Sequence, residues 1–256
     1  MEPKLSGWKQ EEKLDSDKSF SSSKLYQINN TSGGLTLREF TPISNQLNLS
    51  TCVANATVDS LEILRGLKDQ NSVTQLSRLF TYFNARNYDE IITEDSGTYI
   101  RRAFQSLSDF GVCPEDDWPY LESSVFLQPP IICYRTASDN RINDFYRITE
   151  TDDDRVEAII QALENSHPVV FGARLNRDFF YTTNNIVQLP KTTFGAHAMV
   201  ITGWKVYSSN IIFYVRNSWG SSWGDSTGHC WISSEYIKSD LCDDFWVPTI
   251  EAPNNF

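Results

Sequence analysis

Apolar side chains recur at helical spacing through the first half of the chain and at strand-like spacing through the second. Val53, Ala56, Leu61, Leu64 and Leu67 form a stripe that predicts a helix starting near residue 52, with Ser50 or Thr51 placed to cap it. "TQLSRLFTYFNARNY" predicts a second helix, and "GTYIRRAFQSLSDFG" a third that ends with Gly111 at its C′ position. "CPEDDWPY" then interrupts the pattern with two prolines. "DDDRVEAIIQALENSHP" predicts a further helix stopped by Pro168. Beyond it, "VVFGARL", "AHAMVITGWKV", "NIIFYVRNSW" and "GHCWISSEYI" are β-branched and aromatic runs separated by turn residues, the pattern of strands. Helices followed by strands imply an α+β chain with two segregated lobes and a cleft between them.

Residues 1–33 have a different character. They are rich in Ser, Lys, Glu and Asp, run into "NNTSGG", and read as a flexible arm whose apolar patch "LYQI" (Leu25 to Ile28) could dock on the body. The remainder, 34–256, reads as one domain, with a left lobe over about 45–125 and a right lobe over about 126–256. The N-terminus has no apolar signal stretch, and no apolar run reaches the roughly 18–20 residues of a membrane span. The expectation is a cytoplasmic protein, or one released without a classical signal peptide, acting as a monomer.

Apolar residues make up 40% of the chain and aromatic ones 13%, enough for a large core. A net charge of −11 without a basic patch argues against nucleic-acid and anionic-membrane partners. Five cysteines, an odd number with no CxxC pair, argue against full disulfide pairing and against a thiolate zinc site. No metal or other cofactor is expected.

The candidate chemistry begins at "SNQLNLSTCVANA". Cys52 stands at a predicted helix start, where unpaired N–H groups and about half a positive charge favour an anion, and the thiolate is the nucleophilic form of cysteine. A buried, inert cysteine would fit the same local pattern. Of three histidines, His167 lies at a helix-to-strand junction and His229 in a turn entering a strand, both ordinary structural places. His197 heads an apolar strand, 145 positions after Cys52. It fits either a satisfied core ring or a ring facing a cleft. Asn217 follows 20 positions later, beside Trp219. An amide oxygen can fix an imidazole's tautomer without adding charge, and an indole can shield the pair from water. Asn217 could equally be a turn residue.

Taken together these stretches resemble the papain family of cysteine peptidases. The order Cys, His, Asn fits. "NSWGSSWGDSTGHCWI" is very similar to the family's "NSWG…WG…G" strand pair, and "AHAMVITGW" to its His strand. Gln46, six residues before Cys52, matches the oxyanion glutamine. "EDSGTYIRRAFQSLSDFGVCPEDDWPY" resembles the substrate-binding segment, and the likeness spans about residues 35 to 245. It departs at Leu47 and Ser50, which stand where glycines are usual. The family's disulfide partners and its long helical propeptide are missing; only residues 1–33 could take the propeptide's place, and "CVANA" is more like divergent microbial members.

The resemblance implies a two-lobed papain-like fold, helical N-terminal lobe and antiparallel β-sheet C-terminal lobe. It also implies a thiol protease acting on a peptide or protein substrate. Cys52 would attack the carbonyl to form a thioester acyl-enzyme, His197 would move the proton, Asn217 would orient His197, and Gln46 with the Cys52 amide would bind the oxyanion. Ser96 and Gly97 would pair with an extended substrate backbone. Thr98, Tyr99, Gly172 and Gly195 would line the second subsite, and with no charge among them an apolar or aromatic preference is expected there; Trp219 would also contact substrate, and endopeptidase action is expected. The apolar "LYQI" of the arm suggests a short pro-segment lying in the cleft, which would make the chain a zymogen; an unstructured leader fits the same residues. Two other readings leave the scaffold and change the activity: a non-catalytic peptide-binding protein, or a related amidase or acyltransferase.

Overall fold

The computed structural model describes residues 3–28 and 33–250; the "NNTSGG" turn falls largely outside them. A short strand β1 (Gly34–Thr36) leads to α1 (Cys52–Lys68), the helix about which the lobes are arranged. Residues 51–64 are buried on all sides of this helix, polar ones included. Each polar group therefore needs a partner inside. Thr57 Oγ1 and Ser60 Oγ donate to backbone carbonyls one turn back, Val53 O at 2.9 Å and Thr57 O at 2.7 Å.

Asp59 and Glu62 meet guanidinium groups. Arg78 Nη2 donates to Asp59 Oδ1 at 2.6 Å and Arg78 Nη1 to Glu62 Oε1 at 2.7 Å. Arg216, from the sheet lobe, pairs with Asp59 Oδ2 at 3.2 Å and with Glu39. Glu39 in turn meets His229 Nε2 at 2.8 Å, the structural setting expected for that ring.

Helices α2 (Arg78–Asn87), capped by Ser77, and α3 (Ile100–Asp109) pack against α1. Gly111 holds φ +80° just past the end of α3, the left-handed C′ position the pattern predicted. The helix α4 (Ile131–Ala137) belongs to this same lobe. Cys133 and Ala137 are buried in its core, and Tyr134 packs edge-on against Phe80, with ring centroids 4.9 Å apart. The helical packing thus continues past residue 125, through α4.

β2 (Asp144–Ile148), α5 (Asp152–Glu164), β3 (Val169–Leu175), the short β4 (Ile186–Val187), β5 (Gly195–Tyr207), β6 (Asn210–Arg216), β7 (His229–Ser233), α6 (Ser234–Lys238) and β8 (Cys242–Thr249) form the second lobe. The strand order is β2-β8-β3-β5-β6-β7-β4, with β1 also on β5; all pairings are antiparallel except β4 with β7. One face, including Val170, Ala198, Val200 and Trp246, packs on the α1 core; the other, including Phe171, Met199, Phe213 and Phe245, packs under α5 and α6. β2 and β8 are strands the sequence pattern missed. The end of "GHCWISSEYI" is helical rather than extended, since Ser233 caps α6 by accepting from the Tyr236 amide.

The five cysteines are unpaired and buried. No helix of the described residues is long and apolar enough to cross a membrane.

Candidate active site

Cys52 is the first residue of α1 and is fully buried. The cap that Ser50 or Thr51 should supply is absent. Thr51 Oγ1 bonds the Tyr120 hydroxyl at 2.6 Å and accepts from Asn55 Nδ2 at 3.0 Å. That engagement leaves the first-turn amides open towards the thiol, and the Cys52, Val53 and Ala198 N–H groups favour its anion. Burial still outweighs them and pushes the Cys52 thiol up to about 12.

Ala198 directly follows His197 on β5, so the sulfur lies against the strand that carries the ring. His197 Nε2 is 2.7 Å from Asn217 Oδ1, and the Ser218 amide donates to that same oxygen at 2.8 Å. An oxygen already oriented by an N–H acts as acceptor, so His197 Nε2 is the donor and Nδ1 carries the lone pair. Nδ1 is buried and has no hydrogen-bond partner among the described residues. Trp219 packs over the ring with centroids 4.8 Å apart, and burial lowers the imidazole to about 4. As folded, the site therefore holds a neutral thiol and a neutral ring.

Gln46 is oriented by two donors to its Oε1, the Ser218 hydroxyl at 2.8 Å and Trp219 Nε1 at 3.3 Å. Its Nε2 consequently points the other way, to Leu49 O at 3.0 Å and Lys4 O at 3.3 Å. Leu47, where a glycine is usual, adopts φ +50°, so the loop keeps a left-handed turn without one.

The cleft above these residues is filled by the chain's own N-terminal segment. Ala196 N–H donates to Leu5 O at 2.9 Å, Thr98 N–H to Gly7 O at 3.0 Å, and Lys9 N–H to Thr98 O at 3.1 Å. The bridges to Ala196 and Thr98 are parallel. A Cβ on Gly7 would collide with Cys52 Sγ and lie 2.7 Å from Ser50 O. The arm's backbone thus pairs with Thr98, the residue after Gly97. Gly97, at φ +78°, instead provides room for the Ser6 and Gly7 carbonyls, and Ser96 Oγ accepts from Lys9 Nζ at 3.3 Å.

Gly172 leaves space for the Trp8 indole, Gly195 for Leu5, and Tyr99 lies under the Lys9 ammonium at 5.9 Å. Farther along, Glu11 and Asp17 meet Arg101 of α3, Asp17 also meets Arg147 of β2, and Phe20 is buried in the sheet-lobe core. Leu25 and Tyr26 of "LYQI" also pack there, whereas Ile28 is exposed.

One pocket residue escaped the sequence reading. Asp244 is fully buried on β8 and accepts from Trp8 Nε1 at 3.0 Å. The space under Gly172 therefore ends on a buried carboxylate, which Arg147 Nη2 meets from the other side at 2.6 Å. Its position on β8, a strand without a local signal, hid it. Among the described residues no cluster of His, Cys, Asp and Glu could hold a metal ion.

The sequence model of the papain family cysteine proteases matches residues 35–243. The chain belongs to the papain family of cysteine proteases. It is 33% identical over 214 residues to an uncharacterized peptidase C1-like protein of Acanthamoeba polyphaga mimivirus, covering 79% of this chain and 68% of that one. It is 22% identical over 228 residues to falcipain-2a of Plasmodium falciparum, covering 82% of this chain but only 44% of that protein. Xylellain, a cysteine protease from Xylella fastidiosa, superposes with a TM-score of 0.83 at 27% identity and 98% coverage of both chains. Bromelain from Ananas comosus shares the fold at a TM-score of 0.69 and 19% identity, covering 86% of this chain and all of that one. As a papain-family member the chain is a cysteine peptidase with the two-lobed α+β fold of that family.

Proposed function

We propose that this cysteine peptidase cleaves peptide bonds through Cys52, His197 and Asn217, as an endopeptidase, and that residues 3–28 hold it inactive. The observation that supports this most is the joint burial of Cys52 at the head of α1 and the Asn217-oriented His197 on the strand against it. With the arm withdrawn, water and substrate dipoles reach both groups and the penalty on charge falls. His197 Nδ1 then takes the Cys52 proton, giving a thiolate and an imidazolium. The thiolate attacks the substrate carbonyl carbon, and the oxygen's developing charge meets Gln46 Nε2 and the Cys52 amide. Imidazolium returns its proton to the leaving amine, the C–N bond breaks, and a thioester remains. Water, deprotonated by His197, then releases the acid and restores the thiol.

The arm is suited to inhibition because its carbonyls occupy the donors a substrate needs: Lys4 O that of Gln46 and Gly7 O that of Thr98. It runs parallel to both cleft segments it bridges. Replacing Cys52 by Ala, with fluorogenic peptides and an epoxysuccinyl label as readouts, tests the assignment. Loss of both turnover and labelling is expected, and retained turnover refutes it. A non-catalytic binder on this scaffold would show no turnover in either protein, with or without the arm displaced.

A further inference from the structure

Two loops wall the cleft beside Cys52: residues 46–51, which lead into α1, and residues 95–98, which lead towards α3. No disulfide ties them, since all five cysteines are unpaired. Among the described residues they are hydrogen-bonded to each other through one atom. Asp95 Oδ1 accepts from the Ser50 amide and from the Tyr82 hydroxyl, both at 2.9 Å. The Gly97 amide donates in turn to the Tyr82 hydroxyl oxygen, at 3.1 Å. That N–H occupies a lone pair of the phenol, so the phenol's own hydrogen is directed at Asp95. Burial and the adjacent carboxylate push the phenol up, which keeps this donor protonated. Ser50, Tyr82 and Gly97 are buried, so water cannot replace the carboxylate as their partner. Tyr82 is itself fixed in place. Arg86 lies over its ring, 4.0 Å from the centroid, and donates to Ile92 O and Glu94 O just ahead of Asp95.

We propose that Asp95 is a positioning residue for the peptidase reaction, its Oδ1 setting the distance between Cys52 and the Thr98 backbone on which a substrate seats. This rests on the peptidase reading above. In the covered cleft the arm shares the task. Thr98 N–H and O pair with Gly7 and Lys9, Ser96 Oγ accepts from Lys9 Nζ, and Asp95 Oδ2 meets Lys4 Nζ at 2.6 Å. All of these bonds go with the arm. Asp95 Oδ1 and the Tyr82 hydroxyl are then what keep residues 95–98 in register with the loop that carries Cys52. A peptide seated on Thr98 presents its carbonyl to the sulfur only while that spacing holds, and a misplacement of about 1 Å can cost roughly 10²-fold in rate.

The test uses the 256-residue chain carrying Gly7→Phe, whose arm cannot seat over Cys52. Its thiol is alkylated by iodoacetamide, which seats on neither loop, and by a peptidyl chloromethyl ketone, whose backbone must seat on Thr98. The ratio of the two rate constants, corrected with a Cys52→Ala chain, reads the positioning of a peptide against the sulfur. Asp95→Ala is expected to lower this ratio by about 10- to 100-fold, with kcat/KM for a fluorogenic peptide falling in step. Asp95→Asn keeps an acceptor at Oδ1 and is expected to restore most of both. Tyr82→Phe drops only the link to Gly97 and is expected to lower the ratio by about five- to tenfold, which decides the matter if the Asp95→Ala chain does not fold. An unchanged ratio overturns the inference. So does equal slowing of both reagents, which marks a role in the fold alone, or an Asp95→Asn chain no better than Asp95→Ala. The expected ratios in a chain that hydrolyses no peptide support the positioning and sink the catalytic reading; a Cys52 that neither reagent modifies sinks both.

Discussion

Gly7 lies directly against Cys52: a Cβ on Gly7 would occupy the space of the sulfur, with the Ser50 carbonyl 2.7 Å away on another side. Neither neighbour can yield, one being the head of α1 and the other backbone. Gly7→Ala should therefore unseat the arm locally. In the 256-residue chain it is expected to raise peptide hydrolysis by about 5- to 30-fold over the parent, taking ~1–2 kcal/mol as the cost of overpacking. Unchanged hydrolysis in a folded Gly7→Ala protein would argue against inhibition by this contact.

Asn217 Oδ1 is the acceptor that holds His197 Nε2 as donor, at 2.7 Å. Asn217→Ala removes it and leaves a buried ring N–H unsatisfied, a loss of ~1–3 kcal/mol. The kcat of the arm-displaced enzyme should fall by about 10- to 100-fold, with KM little changed. A change confined to KM would show that Asn217 serves substrate binding instead.

Gln46 has its amide turned by Ser218 and Trp219, so Gln46→Glu keeps the size while replacing the donor by an acceptor. A drop in kcat of roughly 10²–10³ is expected, as for loss of one oxyanion donor elsewhere. Activity close to the parent would leave the oxyanion to backbone amides alone.

Acid should loosen the arm through His197. Its pKa in the covered site, about 4, lies below the ordinary 6.5, so the covered state refuses a proton that the open state accepts. The histidine's contribution to docking is complete above 6.5 and is lost as pH falls towards 4. Glu11 and Asp244 act in the opposite sense: burial raises them to about 7 and about 6, so what they contribute is present at low pH and lost as pH rises through those values. In a Glu11→Gln, Cys52→Ala chain the larger opposing group is gone and no thiol supplies the ring's proton from within. Hydrogen exchange at the Thr98 and Ala196 amides, which the arm protects, should then accelerate from pH 6.5 to 4 once corrected for intrinsic rates. Flat protection over that window would exclude His197 as the sensor.

Asp59 bridges the lobes, with Arg78 on one side and Arg216 on the other. Asp59→Ala leaves two buried guanidinium groups short of a counter-charge and should cost about 3–5 kcal/mol. Urea unfolding reads this directly; a loss below ~1 kcal/mol would mean that Glu39 and Glu62 suffice.

Much of the site was legible because its signals are local. A cysteine at a helix start, a glutamine six residues earlier, a histidine heading a strand and "NSWG" can each be read within a short window, and so can the helices and central strands. The arm's anchors were less legible. "LYQI" drew attention as an apolar patch, yet Trp8 and Phe20, single aromatic residues in a polar stretch, are the ones buried. An isolated aromatic residue shows no periodicity, and its burial depends on a cavity built elsewhere.

By itself the sequence determined the α+β order and the helix that starts at Cys52, since both follow from spacing along a few turns or strands, and through its likeness to the papain family it nominated Gln46, Cys52, His197 and Asn217. Only the tertiary structure decided that the arm fills the cleft in parallel, that Trp8 meets an aspartate 236 residues away, and that the thiol and imidazole are both neutral beneath it. Those outcomes depend on exclusion of water and on fields from groups distant in the chain, and burial is a property of the packed whole that no local window contains.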